Sequence, residues 1–199
     1  MKVTKAQAQA NRAKVVETAS TLFREHGYDG VGVADLMAAA GLTHGGFYKN
    51  FGSKAELMAE SAACGMAKTA ALSAGVDAAR FVQLYLSREH RDVRATGCTM
   101  AALGGDAARQ PDAVRATFAE GIESLLAVLS RPAGSCDEGD SRPTRAKAMD
   151  LLAHALGAIV LSRACPDDSP LADEILAVCR QEILESLSPS GDNQRTARA

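Results

Sequence analysis

Apolar residues recur along this chain with a period near 3.6, not 2. Between about Ala8 and His26, Val15, Val16, Ala19, Leu22 and Phe23 make one stripe, the pattern of a helix with a single face turned to a core. Gly27 follows at the position where a helix commonly ends in left-handed backbone. A short second helix fits Val33 to Ala40, with Val33, Leu36, Met37 and Ala40 on one side and Gly32 and Gly41 at its two ends. Thr43 is suited to cap a third helix, which carries Phe47 and Phe51 four residues apart. Ser53 and Glu56 have the spacing of a capping box and open a fourth helix, from Lys54 to about Ala70.

The remaining pattern predicts longer helices over 77–89, 98–109, 111–129, 144–164 and 171–187. Pro111 suits a first helical turn, and Val114, Phe118, Ile122, Leu125, Leu126 and Leu129 follow it at helical spacing. The stretch RPAGSCDEGDSRP, residues 131–143, reads as a mobile loop because proline, glycine and charge dominate it. Pro166 and Pro170 separate the last two helices, and the tail 189–199 is expected to be disordered. No run alternates with period two. The fold class is therefore all-α, with about nine helices.

Composition agrees. Apolar residues make up 47% of the chain, aromatics only 4%, and tryptophan is absent; the abundant apolar types are alanine and leucine, the strongest helix formers. No apolar stretch reaches the roughly 18 to 20 residues that cross a bilayer, and no apolar core follows the basic N-terminus as a signal peptide requires. No membrane partner and a cytoplasmic location are expected. The cysteines are five, an odd number without a CxxC pair, which argues for reduced thiols and against a disulfide framework or zinc site. Net charge is −2, yet residues 1–54 hold seven Lys and Arg against four Asp and Glu. A basic end on an acidic body points mildly to a polyanionic partner.

The stretch GLTHGGFYKNFGSK, residues 41–54, holds three of the eight aromatics among four glycines. Read as ordinary helix it is contradictory, since glycine costs about 1 kcal/mol relative to alanine in a helix interior. Two short helices joined by a tight turn at Gly41 describe a helix-turn-helix, whose second helix enters the DNA major groove. On that reading Phe47 and Phe51 anchor the inner face, leaving Thr43, His44, Gly45, Gly46, Tyr48 and Lys49 for double-stranded DNA. The glycines either let the backbone approach the duplex or let the third helix pack closely on the first. Tyr48, Lys49 and Lys54 suit phosphates, which position the protein without specifying sequence.

Residues 27–54, GYDGVGVADLMAAAGLTHGGFYKNFGSK, resemble the DNA-binding signature of TetR-type (tetracycline-repressor-like) transcriptional regulators. The resemblance implies a homodimer that binds a palindromic operator, usually as a repressor, in the cytoplasm of a bacterium. It implies an N-terminal DNA-binding domain, 1–53, and a larger helical ligand-binding and dimerisation domain, 54–188. A small-molecule inducer would move the fourth helix and release the DNA, while the last two long helices pair with the partner's in a four-helix bundle. Two departures stand out: Val31 and Gly32 where the family usually begins its second helix with threonine or serine, and Asn50 where histidine or tyrosine is usual.

Helix 144–164 is apolar over most of its circumference, the mark of a buried helix. Met149, Leu152, Leu156, Ile159 and Val160, with Ile175 and Val178 of the last helix, are the expected dimer interface. Phe81, Tyr85, Met100, Leu103 and Phe118 are candidate linings of the ligand pocket, with His90 expected at the surface and His154 at the interface. Cys98 follows Gly97 at a predicted helix start, where a thiol can be activated, so redox or electrophile sensing by Cys98 is the alternative reading. An enzyme using that thiol is a remoter one. No HExxH, paired ligand or Cys–His spacing favours it, and no catalytic residue, metal or cofactor is expected.

Overall fold

The computed structural model describes residues 4–130 and 143–188. The predicted loop, apart from Pro143, and the predicted tail 189–199 lie outside the described residues, as does Cys136. Among them the chain is helical throughout, with ten α-helices, two 3-10 turns and no strand. The helices are α1 Lys5–His26, α2 Val33–Ala39, α3 Phe47–Asn50, α4 Lys54–Ser73, α5 Ala78–Tyr85, α6 Arg88–Asp92, α7 Thr99–Ala107, α8 Asp112–Leu129, α9 Arg145–Ala164 and α10 Pro170–Leu187. The 3-10 turns are His44–Gly46 and Arg94–Thr96.

Five of the ten helices open on a side-chain cap, which satisfies amide groups a helix start leaves without partners. The Thr4 hydroxyl accepts the Gln7 N–H at 3.2 Å, and α1 starts at Lys5, about one turn before the expected start near Ala8. Ser53 Oγ accepts the Glu56 N–H at 3.1 Å, while the Glu56 carboxylate accepts the N–H of Gly52, one residue before the expected cap, at 2.7 Å. The predicted helix 77–89 is in fact two. Asp77 caps α5, and Ser87 Oγ accepts the His90 N–H at 3.1 Å to open α6. The chain turns at Leu86, whose backbone leaves the helical region.

The described residues cluster into two compact units, one from Met1–Thr69 with Arg94–Ile122 and one from Ala70–Val93 with Glu123–Ala199. The first buries Val15, Ala19 and Phe23 of α1 with Leu36, Met37, Phe47, Phe51 and Leu57. Phe23 meets Tyr28 edge-on, ring centroids 5.0 Å apart. A buried guanidinium stitches this unit: Arg24 donates to Ala95 O at 2.8 Å and to Ser20 Oγ at 2.6 Å. Its neighbour on α4 must be glycine. A Cβ at Gly65 would stand 2.3 Å from Thr99 Oγ1 and 2.7 Å from Arg24 Nη1.

The second unit has its own buried arginine. Arg91, 2% exposed, donates to Ser162 O and Oγ, to Cys165 O and to Asp167 at 3.0 to 3.2 Å. Ser162 Oγ in turn donates to Ala172 O at 2.8 Å, so one network joins α6, the end of α9 and the start of α10. Phe81 stacks on Tyr85, and His90 lies 4.4 Å from the Tyr85 ring with Nδ1 bonded to the Tyr85 carbonyl at 2.7 Å. His90, expected at the surface, is thus half-buried, and burial lowers its pKa.

Candidate nucleic-acid interface

Gly41 ends α2 in the left-handed region, φ 69°, where a side chain would be strained. The N–H groups of Gly41 and Leu42 close the turn onto Ala38 O and Met37 O at 2.9 and 2.8 Å. Thr43 is extended and precedes the 3-10 turn His44–Gly46, which runs directly into α3. Its hydroxyl makes no capping bond; the turn is closed by the Gly46 N–H on Thr43 O at 2.9 Å. The third helix therefore opens as a tighter 3-10 turn because the two glycines supply little preference for α geometry.

The faces separate as the apolar spacing requires. Phe47 and Phe51 are buried with ring centroids 5.5 Å apart. Thr43, His44, Gly45, Tyr48 and Lys49 are exposed on the other side, Tyr48 at 69%. Edge contacts to Phe47 at 5.1 Å and His44 at 6.4 Å orient the Tyr48 ring. The two glycines differ. A Cβ on Gly46 would touch Met37 Cε at 3.5 Å, whereas one on Gly45 would meet nothing within 4 Å. Gly46 packs on α2, and Gly45 offers bare backbone to the outside.

What holds this segment was not visible in the sequence. Arg12 of α1 donates Nε to Asn50 O at 3.2 Å, grips the Glu60 carboxylate with both terminal nitrogens and reaches Glu56 at 3.1 Å. Its guanidinium lies 4.5 Å from the Phe51 ring centroid, a cation–π distance. The hydrogen bond Arg12 donates to Glu60 leads in raising the Arg12 pKa, so the charge is secure. Asn50, one of the two departures from the family pattern, folds back to bond Gly46 O at 2.8 Å. At the other departure the Asp35 carboxylate accepts the Gly32 N–H at 3.2 Å, the reciprocal half of a capping box, while no side chain at Gly32 caps the first amides of α2.

Lys54, the further residue expected to meet phosphate, is half-buried at the start of α4. Its ammonium donates to Tyr28 O at 2.6 Å and lies 5.8 Å from the Phe23 ring centroid. It ties the start of α4 to the connection between α1 and α2.

The remaining candidates divide. Phe81 and Tyr85 are buried in the second unit, and Met100, Leu103 and Phe118 in the first. A groove of about 380 Å³ runs beside Ala177, Arg180, Gln181, Leu184, Glu185 and Ser188 and includes none of these five. Leu152 and Ile159, expected at a dimer interface, are turned into their own unit and are 6% and 0% exposed. Met149, Val160 and Val178 are exposed, as are Leu161 and Leu171, while Leu156 and Ile175 are half-buried and His154 is exposed. Cys98 is 3% exposed at the N-cap of α7. Among the described residues no three His, Cys, Asp or Glu side chains gather as a metal site, and no helix is long and apolar enough to cross a membrane.

Residues 15–60 match the family profile described as "Bacterial regulatory proteins, tetR family". Over 55 residues the chain is 40% identical to the HTH-type transcriptional regulator TtgR of Pseudomonas putida, covering 28% of this chain and 26% of that protein. The chain thus aligns with about a quarter of that relative's length. Likeness in fold extends much further. The reduced form of Escherichia coli NemR superposes with a TM-score of 0.67 at 17% identity over 87% of this chain and 95% of that one. A TetR-family transcriptional regulator from Agrobacterium tumefaciens gives 0.67 at 18% over 89% and 97%. Segment 15–60 is thus similar to the DNA-binding part of the tetR family of bacterial regulatory proteins, with α2 and α3 in the place of its helix-turn-helix, and the all-helical fold is shared with solved regulators along most of the chain.

Proposed function

We propose that the chain is a homodimeric transcriptional repressor that reads palindromic operator DNA with residues 43–50 and leaves it when a small-molecule inducer binds. The carrying observation is the outward face of that segment, where Thr43, His44, Gly45, Tyr48 and Lys49 stand exposed over a buried Phe47–Phe51 anchor. In helix-turn-helix docking the N-terminal residues of the second helix meet base edges. That gives Thr43 and His44 the groove floor and lets the Gly45 backbone approach closely. Tyr48 and Lys49, a turn later, reach phosphates. Residues 1–53 act as the reading head and 54–188 as the body that pairs and senses.

Pairing is supported by the exposed apolar side chains of α9 and α10. Met149, Val160 and Leu161 on one helix, and Leu171 and Val178 on the other, are each 46–59% exposed. A two-fold interface of these helices would bury them and would set two heads on half-sites one helical turn apart, about 34 to 36 Å. Release by an inducer rests on the family likeness.

Selection of bound duplexes from a random pool tests the reading. The expected product is an inverted repeat, bound with affinity that falls steeply with salt through counterion release. A purified protein that enriches no sequence and ignores duplex DNA at low salt would refute it.

A further inference from the structure

Helix α1 carries two cations to different parts of the reading head. Arg12 is neutralised inside the fold by Glu56 and Glu60. Lys14, two residues on and about 200° around the helix, is exposed and has no ion-pair or hydrogen-bond partner among the described residues. Its Nζ lies over the turn between α2 and the reading segment, 3.5 Å from where a Gly41 Cβ would stand. Gly41 has no side chain there, and its φ of 69° discourages one. The ammonium therefore rests above bare backbone, two residues before Thr43. Glu17, one turn further along α1, does not compensate it, being paired with Lys68 at 2.7 Å.

We propose that Lys14 is a phosphate contact of this protein, holding the DNA backbone at the edge of the groove that residues 43–50 enter. The inference rests on the proposed operator-binding function. The first helix of a helix-turn-helix crosses the backbone and the second enters the groove, so the turn between them lies beside the sugar-phosphate chain. An uncompensated ammonium at that turn meets a phosphate oxygen with a charge-assisted hydrogen bond. Lys54, the cation that sequence alone favoured next to Lys49, is already bonded to Tyr28 O. Lys14 adds a positioning contact to those of Tyr48 and Lys49, and sequence preference does not depend on it.

The test is the salt dependence of binding to a mixed-sequence duplex of about 30 base pairs, a probe that needs no knowledge of the operator. Each phosphate neutralised contributes about 0.9 to the slope of log affinity against log salt. Lys14→Met keeps the aliphatic stem on the turn and removes the charge. Its slope is expected to be shallower than that of the unmodified protein by about 0.9 for each Lys14 engaged, or about 3.5-fold in affinity over a fourfold change in salt. Lys14→Arg should retain the slope, and melting temperatures should match across the three proteins. A Lys14→Met protein with an unchanged slope overturns the assignment while leaving the operator-binding reading intact. Failure of the unmodified protein to bind the duplex at low salt overturns both.

Discussion

The segment proposed to read DNA and the outer face of α9 and α10 are both left uncovered by the described residues, and in opposite ways. The first leaves over polar groups: a hydroxyl at Thr43, an imidazole at His44, a phenol at Tyr48 and an ammonium at Lys49, all exposed. The second leaves over hydrocarbon: Met149, Val160, Leu161, Leu171 and Val178. Polar donors and cations hydrate well in isolation and gain most from a dense array of anions, so the first surface suits DNA and is governed by salt. Exposed apolar side chains at helical spacing gain from removal of water, so the second suits another apolar helix face and is nearly indifferent to salt. One chain thus carries two kinds of incompleteness that respond to different solution variables.

That contrast can be broken most forcefully at the apolar face. Val160→Glu with Val178→Glu would place unpaired carboxylates inside the proposed interface, at a cost on the order of 3 kcal/mol or more. Self-association measured by sedimentation should weaken by about 100-fold or more, and affinity for a palindrome should fall with it, while helix content stays the same. At the polar face, His44→Ala should shift preference at one base position by roughly 1 to 3 kcal/mol, read by competition between operator variants. Tyr48→Ala and Lys49→Ala should weaken all sequences alike. None of these three changes should alter self-association.

Gly65→Ala probes the frame behind the reading segment, because its Cβ would strike Thr99 Oγ1 and the Arg24 guanidinium. Overpacking of this kind costs about 1 to 3 kcal/mol, expected as a lower melting temperature. The smallest effect belongs to His90. Burial, helped by the positive charge of Arg163, lowers its pKa against the opposing hydrogen bond to Tyr85 O. The unfolded chain, with a pKa of about 6.5, takes up the proton more readily than the folded one. Stability from the neutral imidazole is therefore present above that pH and is lost as the pH falls through the depressed folded value. His90→Gln should remove that part of the pH dependence, seen as a shallower acid limb in denaturant titrations.

The helices were legible because a 3.6-residue stripe depends only on which residues are apolar, and the helix-turn-helix because Gly41, Phe47 and Phe51 mark a turn and an anchor at fixed offsets. Two kinds of feature were not. The first concerns bonds to backbone carbonyls, which carry no residue identity. Lys54 on Tyr28 O, Arg12 on Asn50 O and Arg91 on Ser162 O leave no trace in composition or periodicity. The second is phase. Because α9 is apolar nearly all round, its pattern cannot tell Leu152 and Ile159, which face inward, from Met149 and Val160, which face out. The break between α5 and α6 was hidden similarly, since Ser87 caps a new helix inside a run whose periodicity barely falters.

The grip of Arg12 on the end of the reading segment bears on how this specificity could be moved to another protein. Residues 41–51 contain every side chain proposed to meet the duplex except Lys14, which makes them look like a cassette. Yet Asn50 O is held by a residue 38 positions earlier, and that residue is held by Glu56 and Glu60 beyond the segment. A chimera that transplants 41–51 alone would carry the letters of the recognition code without the clamp that fixes its angle. One that also carries Arg12, Lys14, Glu56 and Glu60 should keep both.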